Sequence, residues 1–111
     1  MNQITFPDFT KIDMRVGTII HADIFQEAKI PAYKVTIDFG EIGIKKTSAQ
    51  ITKLYQPEDL IGKQVVAVVN FPPKQIANFM SECLILGAVG EENLVSLLSP
   101  NHKMKDGLKI G

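Results

Sequence analysis

The sequence predicts an all-β chain with short helices, folded as a small five-stranded barrel. Three observations carry that expectation. Tyr33, Val35, Ile37 and Phe39 alternate with Lys34, Thr36 and Asp38, a period-two run with one buried and one wet face. Gln64 to Phe71 (QVVAVVNF) is nearly continuous in β-branched apolar residues, as a central strand covered on both faces requires. Between these runs, Pro57, Glu58 and Asp59 suit the first turn of a short helix, where a missing N–H costs little and acids favour the dipole.

The remaining elements follow along the chain. Phe6, Phe9 and Ile12 recur at roughly helical spacing behind Thr5 and Pro7, which predicts a short amphipathic turn covering one end of a sheet. Arg15 to Phe25 reads as a first strand, with Val16, Ile20, Ala22 and Ile24 inward and Gly17 marking a bulge or sharp coil. The run from Tyr33 is the second strand, ended by Gly40, and a turn at Glu41-Ile42-Gly43 leads to a third strand within residues 42–51. Gly62 stops the interposed helix, and Pro72-Pro73 must end the fourth strand because proline cannot donate to a ladder. Cys83 to Ala88 and Leu94 to Leu98 supply a last strand or hairpin across residues 90–93. The order β-β-β-α-β-β, with a helix between strands three and four, is that of the OB-type barrel; an SH3-like barrel lacks that helix.

At 111 residues and 45% hydrophobic content, the chain is expected to form one domain, residues 1–111. Its only cysteine, Cys83, leaves packing to stabilise it and opens an apolar run (CLILGA) as a small buried thiol would. The opening MNQITFPDF has no charged start followed by an apolar run, and no stretch nears the span of a bilayer. A cytoplasmic protein without membrane insertion is the expectation.

Formal charge is zero, against the basic footprint of non-specific nucleic-acid binders. The zero conceals segregation: residues 42–81 hold Lys45, Lys46, Lys53, Lys63 and Lys74 against Glu58 and Asp59, so this block carries +3 and the remainder −3. Either the lysines form one basic face or they punctuate sheet edges. His21 and His102 have no metal-ligand spacing, and there is no phosphate loop, nucleophile elbow or dinucleotide fingerprint. The balance favours a binding module with no cofactor, no metal and no catalytic residues.

Three stretches resemble a known family, the tRNA-binding OB domain found free-standing or appended to aminoacyl-tRNA synthetases, and within it the CsaA-type export-related chaperones. Asp13-Met14-Arg15-Val16-Gly17-Thr18-Ile19 is similar to its D-x-R-V-G-x-I opening. Tyr55 to Lys63 (YQPEDLIGK) is similar to its Y-x-P-E-x-L-x-G-K helix, and Val69 to Gly87 to the CsaA variant of its N-L-x-P-R…S-x-G-M segment. The resemblance implies an OB fold, a homodimer, no catalysis, and passive binding of unfolded preproteins or peptides in support of secretion. The alternative it carries is structure-specific tRNA binding.

Where the tRNA-binding branch has Ser-Gly-Ile, this chain has Ala49-Gln50-Ile51; where it has Gln-Gly-Met, this chain has Glu82-Cys83-Leu84; and Pro72 stands where lysine is common. A carboxylate at Glu82 would repel a phosphodiester. Asn70, Lys74 and Ser81 do match the tRNA-binding pattern, while Phe71, Pro72, Pro73, Ile76, Phe79 and Met80 crowd one loop with apolar side chains. The peptide- or RNA-contacting residues expected are Lys45, Gln50, Lys53, Asn70, Phe71, Lys74, Phe79, Met80 and Ser81. A competing reading has Ile76, Phe79 and Met80 merely tucking a short helical turn onto the barrel.

Overall fold

The computed structural model describes all 111 residues. Its main sheet comprises β1 (Met14–Ile24), β2 (Tyr33–Asp38), β3 (Ile44–Ala49), β4 (Gln64–Val68) and β7 (Leu84–Ile85), in the antiparallel order β3-β2-β1-β4-β7. Two short hairpins flank it, β5 (Lys74–Ile76) with β6 (Phe79–Ser81), and β8 (Gly87–Val89) with β9 (Val95–Leu97). Helix α1 spans Phe6–Thr10 and helix α2 Pro57–Leu60, between β3 and β4. The sheet curls into the nearly closed five-stranded OB-type barrel that the element order predicts.

Helix α2 begins where Asp59 Oδ2 accepts from the Gln56 N–H at 3.1 Å and ends at Gly62, whose φ of +87° favours glycine. Its one buried residue, Leu60, joins Ile19, Val35, Ile37, Phe39 and Val65 in the core. Strand β4 is buried from Val65 to Val68 within one chain, so both its faces are covered without a second subunit. The C-terminal segment seals the β1 edge that β2 leaves open: Val16 N–H donates to Leu108 O, Gly107 N–H to Val16 O and Ile110 N–H to Met14 O.

Three local expectations need correction. Gly17 is not the bulge; the register of β1 on β2 slips between Ile19 and His21. The slip turns Ile19 inward and leaves Ile20 and Ile24 exposed, so strict alternation misassigned both. Gly17 is there for space, because a Cβ would lie 2.5 Å from Ile37 Cγ2 and 2.7 Å from the Phe39 ring. Helix α1 forms, with Thr5 Oγ1 accepting from the Asp8 N–H, yet it buries no residue, and Phe6 is 74% exposed. It covers no end of the sheet; Asn70 ties the segment that follows it to the end of β4. Finally, Ile76 to Phe79 is no helical turn: Ile76 and Phe79 pair across Ala77-Asn78 as a tight hairpin, with Ala77 at φ +51°.

Gly17→Ala should lower stability by roughly 1–3 kcal/mol through overpacking. A urea titration reads this as a reduced midpoint at unchanged slope.

Candidate functional site

The barrel closes where β3 meets the end of β6 and the segment joining it to β7, mostly through side chains, with one main-chain bond among them. Ser48 N–H donates to Ser81 Oγ at 3.2 Å, and Ser81 and Thr47 share a hydroxyl contact of 2.9 Å. Thr47 Oγ1 donates to the Cys83 carbonyl at 2.7 Å. Since the Thr47 proton goes to Cys83, Ser81 donates to Thr47, and the three bonds form one directional chain. Thr47 is the one buried polar side chain in the core, and this chain satisfies it. Beside it, Glu82 N–H donates to Lys46 O at 2.7 Å while Glu82 Oε1 accepts from Lys46 N–H at 2.9 Å. Glu82 is thus a two-point clasp on the seam, a role its charge alone did not suggest.

Beyond that clasp the seam opens into a cleft of about 450 Å³ lined by Ser48, Phe71, Pro72, Lys74, Ile76, Ser81, Cys83 and Leu84. Phe71 and Leu84 are about half exposed, at 53% and 49%. Two further depressions adjoin it. One, about 270 Å³, lies among Gln50, Ile51, Leu84, Ile85, Val89 and Val95 and has no charged lining; the other, about 260 Å³, lies between the Glu27–Ile30 loop and Ile76-Ala77.

Of the expected contact residues, the cleft brings together Phe71, Lys74 and Ser81, and Gln50 lines both adjoining depressions. The others lie elsewhere. The Asn70 amide is engaged, accepting from Asp13 N–H at 3.0 Å and donating to Lys11 O at 2.7 Å. Phe79 packs edge-on against Phe25 with centroids 5.4 Å apart, and the Lys34 ammonium lies 4.9 and 5.5 Å from the Phe25 and Phe79 rings. This cluster anchors the β5–β6 hairpin. Met80, half exposed, points to the other side of β6 from Phe79 and Ser81. Lys45 and Lys46 alternate to opposite faces of β3, Lys53 stands in a surface loop, and only Lys74 of the five central lysines lines the cleft. No single basic face results. Sequence reasoning missed Ser48, whose only signal was adjacency to Ala49-Gln50-Ile51, and Leu84, which lies inside the matched Val69–Gly87 segment.

Burial is the largest influence on Cys83, pushing its thiol up to about 12 from an ordinary 9.0, so at neutral pH it stays protonated.

A family model, the tRNA binding domain, matches residues 14–109. The chain belongs to the tRNA binding domain family. Within that family it is of the CsaA type. The chaperone CsaA from Bacillus anthracis str. Ames is 55% identical with a TM-score of 0.95, covering 99% of this chain and 100% of that one. The CsaA chaperone protein from Picrophilus torridus is 54% identical with a TM-score of 0.91, covering 98% and 100%. A methionine–tRNA ligase from Methanococcoides burtonii is 34% identical over 107 residues, 96% of this chain. The chain spans only 16% of that ligase's length.

The Cys83 displacement has a sign that can be checked. Below pH 9 the thiol is protonated whether folded or unfolded and contributes nothing; above it the unfolded chain loses the proton first, so stability falls as pH rises toward 12. Relative to Cys83→Ala, the parent should lose up to about 1.4 kcal/mol per pH unit across that window, read by urea unfolding at stepped pH.

Proposed function

We propose that this chain is a secretion-related chaperone that binds unfolded preproteins or peptides passively, as a homodimer in the bacterial cytoplasm. The observation that carries this reading is the cleft beside the seam, where Phe71, Pro72, Ile76 and Leu84 surround a single cation, Lys74. Apolar walls of this kind take hydrophobic side chains of an extended client, and the ammonium takes a backbone carbonyl or a carboxylate. Likeness to two proteins described as chaperones supports it further. Binding the unfolded client lowers its free concentration and hence its aggregation, with no nucleotide and no covalent step. The exposed Ile4, Phe6 and Ile12 around α1, unburied within one chain, favour the dimer.

A second reading, structure-specific tRNA binding, is favoured by the family match and the likeness to methionine–tRNA ligase. Against it stand the mostly apolar walls of the cleft and the engaged amide of Asn70.

Labelled unfolded peptide and labelled tRNA titrated in parallel separate the two. The chaperone reading expects saturable peptide binding that depends little on salt, and suppressed light scattering from a denatured client at equimolar dimer. Undiminished scatter together with micromolar, steeply salt-dependent tRNA binding would reverse the assignment. Lys74→Ala should weaken peptides bearing a carboxylate by up to about fivefold and neutral ones by less, since an exposed ion pair contributes at most about 1 kcal/mol.

A further inference from the structure

Ser48 is the one residue on the wall of the cleft and of both adjoining depressions. Its neighbours on the seam are fully engaged: the Thr47 and Ser81 hydroxyls are spent on the closing chain, and the Ser48 N–H donates into it. The Ser48 hydroxyl itself makes no hydrogen bond within the protein and, on the outer side of β3, faces the point where the three spaces meet. Leu84 is shared by the cleft and the uncharged depression, Ile76 by the cleft and the loop-side depression, and Gln50 by the two depressions. The three spaces thus adjoin as compartments of one groove, with residue 48 at their junction.

Charge decides what suits it. Lys74 and Lys29 line the groove and pair with no carboxylate in the chain, while the one carboxylate on its wall, Glu27, is 3.9 Å from Lys34 Nζ. The third compartment carries no charge. An occupant with aliphatic side chains and a carboxylate next to one of them fits these walls; a polyanion finds only two isolated lysines among apolar side chains.

Resting on the chaperone reading above, we propose that Ser48 is the specificity-determining position of the groove, a small polar junction that lets one extended, acid-bearing aliphatic peptide segment cross from the Lys74 cleft into the uncharged depression. The hydroxyl offers the crossing backbone a hydrogen bond, and the short side chain keeps the compartments joined. A longer side chain at 48 divides the groove and leaves each part able to hold only a fragment.

Peptide length tests this. An eight-residue segment extends about 27 Å and spans several compartments, whereas a tripeptide of about 10 Å occupies one. Fluorescence anisotropy would follow an octapeptide of alternating leucines with one glutamate, and NMR shifts a Leu-Glu-Leu tripeptide, on the full-length protein. Ser48→Leu should weaken the octapeptide by about tenfold or more, the value of one leucine-sized side chain losing its pocket, and leave the tripeptide within twofold. Leu84→Trp, at a half-exposed position shared by the cleft and the uncharged depression, should likewise weaken the octapeptide and serves as the second variant if Ser48→Leu does not fold, as judged by its thermal melt. A folded variant of either kind that binds the octapeptide as the parent does overturns the proposal, as does loss of tRNA binding with peptide binding intact. If the parent binds neither peptide, the chaperone reading itself fails, an outcome distinct from parental binding that the substitutions leave unmoved.

Discussion

Everything in this molecule depends on how a five-stranded sheet closes when its last strand is only two residues long. Leu84 and Ile85 cannot form a ladder with β3, so the closing edge is held by side chains: the Ser48–Ser81–Thr47–Cys83 chain and the Glu82 clasp on Lys46. Each bond satisfies a backbone or hydroxyl group that closure would otherwise leave unpaired, at a cost of about 1–3 kcal/mol per buried orphan. The barrel core then needs nothing from outside, with Thr47 at its boundary as the single buried polar residue.

The same device creates the groove. Side-chain closure reaches Ser48, and the cleft lies beside it, lined by Ser48 together with Ser81, Cys83 and Leu84. The β5–β6 hairpin forms one wall, held by Phe79 on Phe25 with Lys34 over both rings and by Ser81 on the seam. Groove and barrel closure are thus two consequences of one arrangement, and a polar group spent on closure is unavailable to the groove. Ser81, a natural candidate for ligand contact by position, directs its proton inward to Thr47, while Ser48, its unmatched neighbour, keeps a free hydroxyl at the groove.

The charge segregation along the chain shows how strand geometry disperses what sequence gathers. Lys45 and Lys46 are adjacent in sequence and opposed in space because successive side chains of a strand leave from opposite faces. Glu82, whose carboxylate suggested repulsion of phosphate, keeps that charge but is held to the seam, with Oε1 accepting from the Lys46 N–H at 2.9 Å. What remains at the groove is Lys74 and Lys29, too sparse a set of cations for tracking a phosphate backbone and well matched to a single carboxylate.

Periodicity and turn chemistry in the sequence by themselves determined the barrel: the Tyr33–Phe39 alternation, the Gln64–Phe71 run, whose ladder stops at Val68 before the prolines are reached, the Pro57 helix with its Gly62 stop and the hairpin beyond Gly87 all mark their elements by local rules. These features are legible because each depends on residues a few positions apart. Tertiary structure alone decided the rest. The β1 slip at Ile20 comes from pairing with β2, Gly17 is required by Ile37 of β2 and Phe39 just beyond it, and the β5–β6 hairpin turns at Ala77-Asn78 without the glycine that would announce it. The groove belongs to this second group, because Ser48 acquires its place only when β3 is brought against segments more than twenty residues later in the chain, and no local pattern encodes which residues a closing seam will consume and which it will leave free.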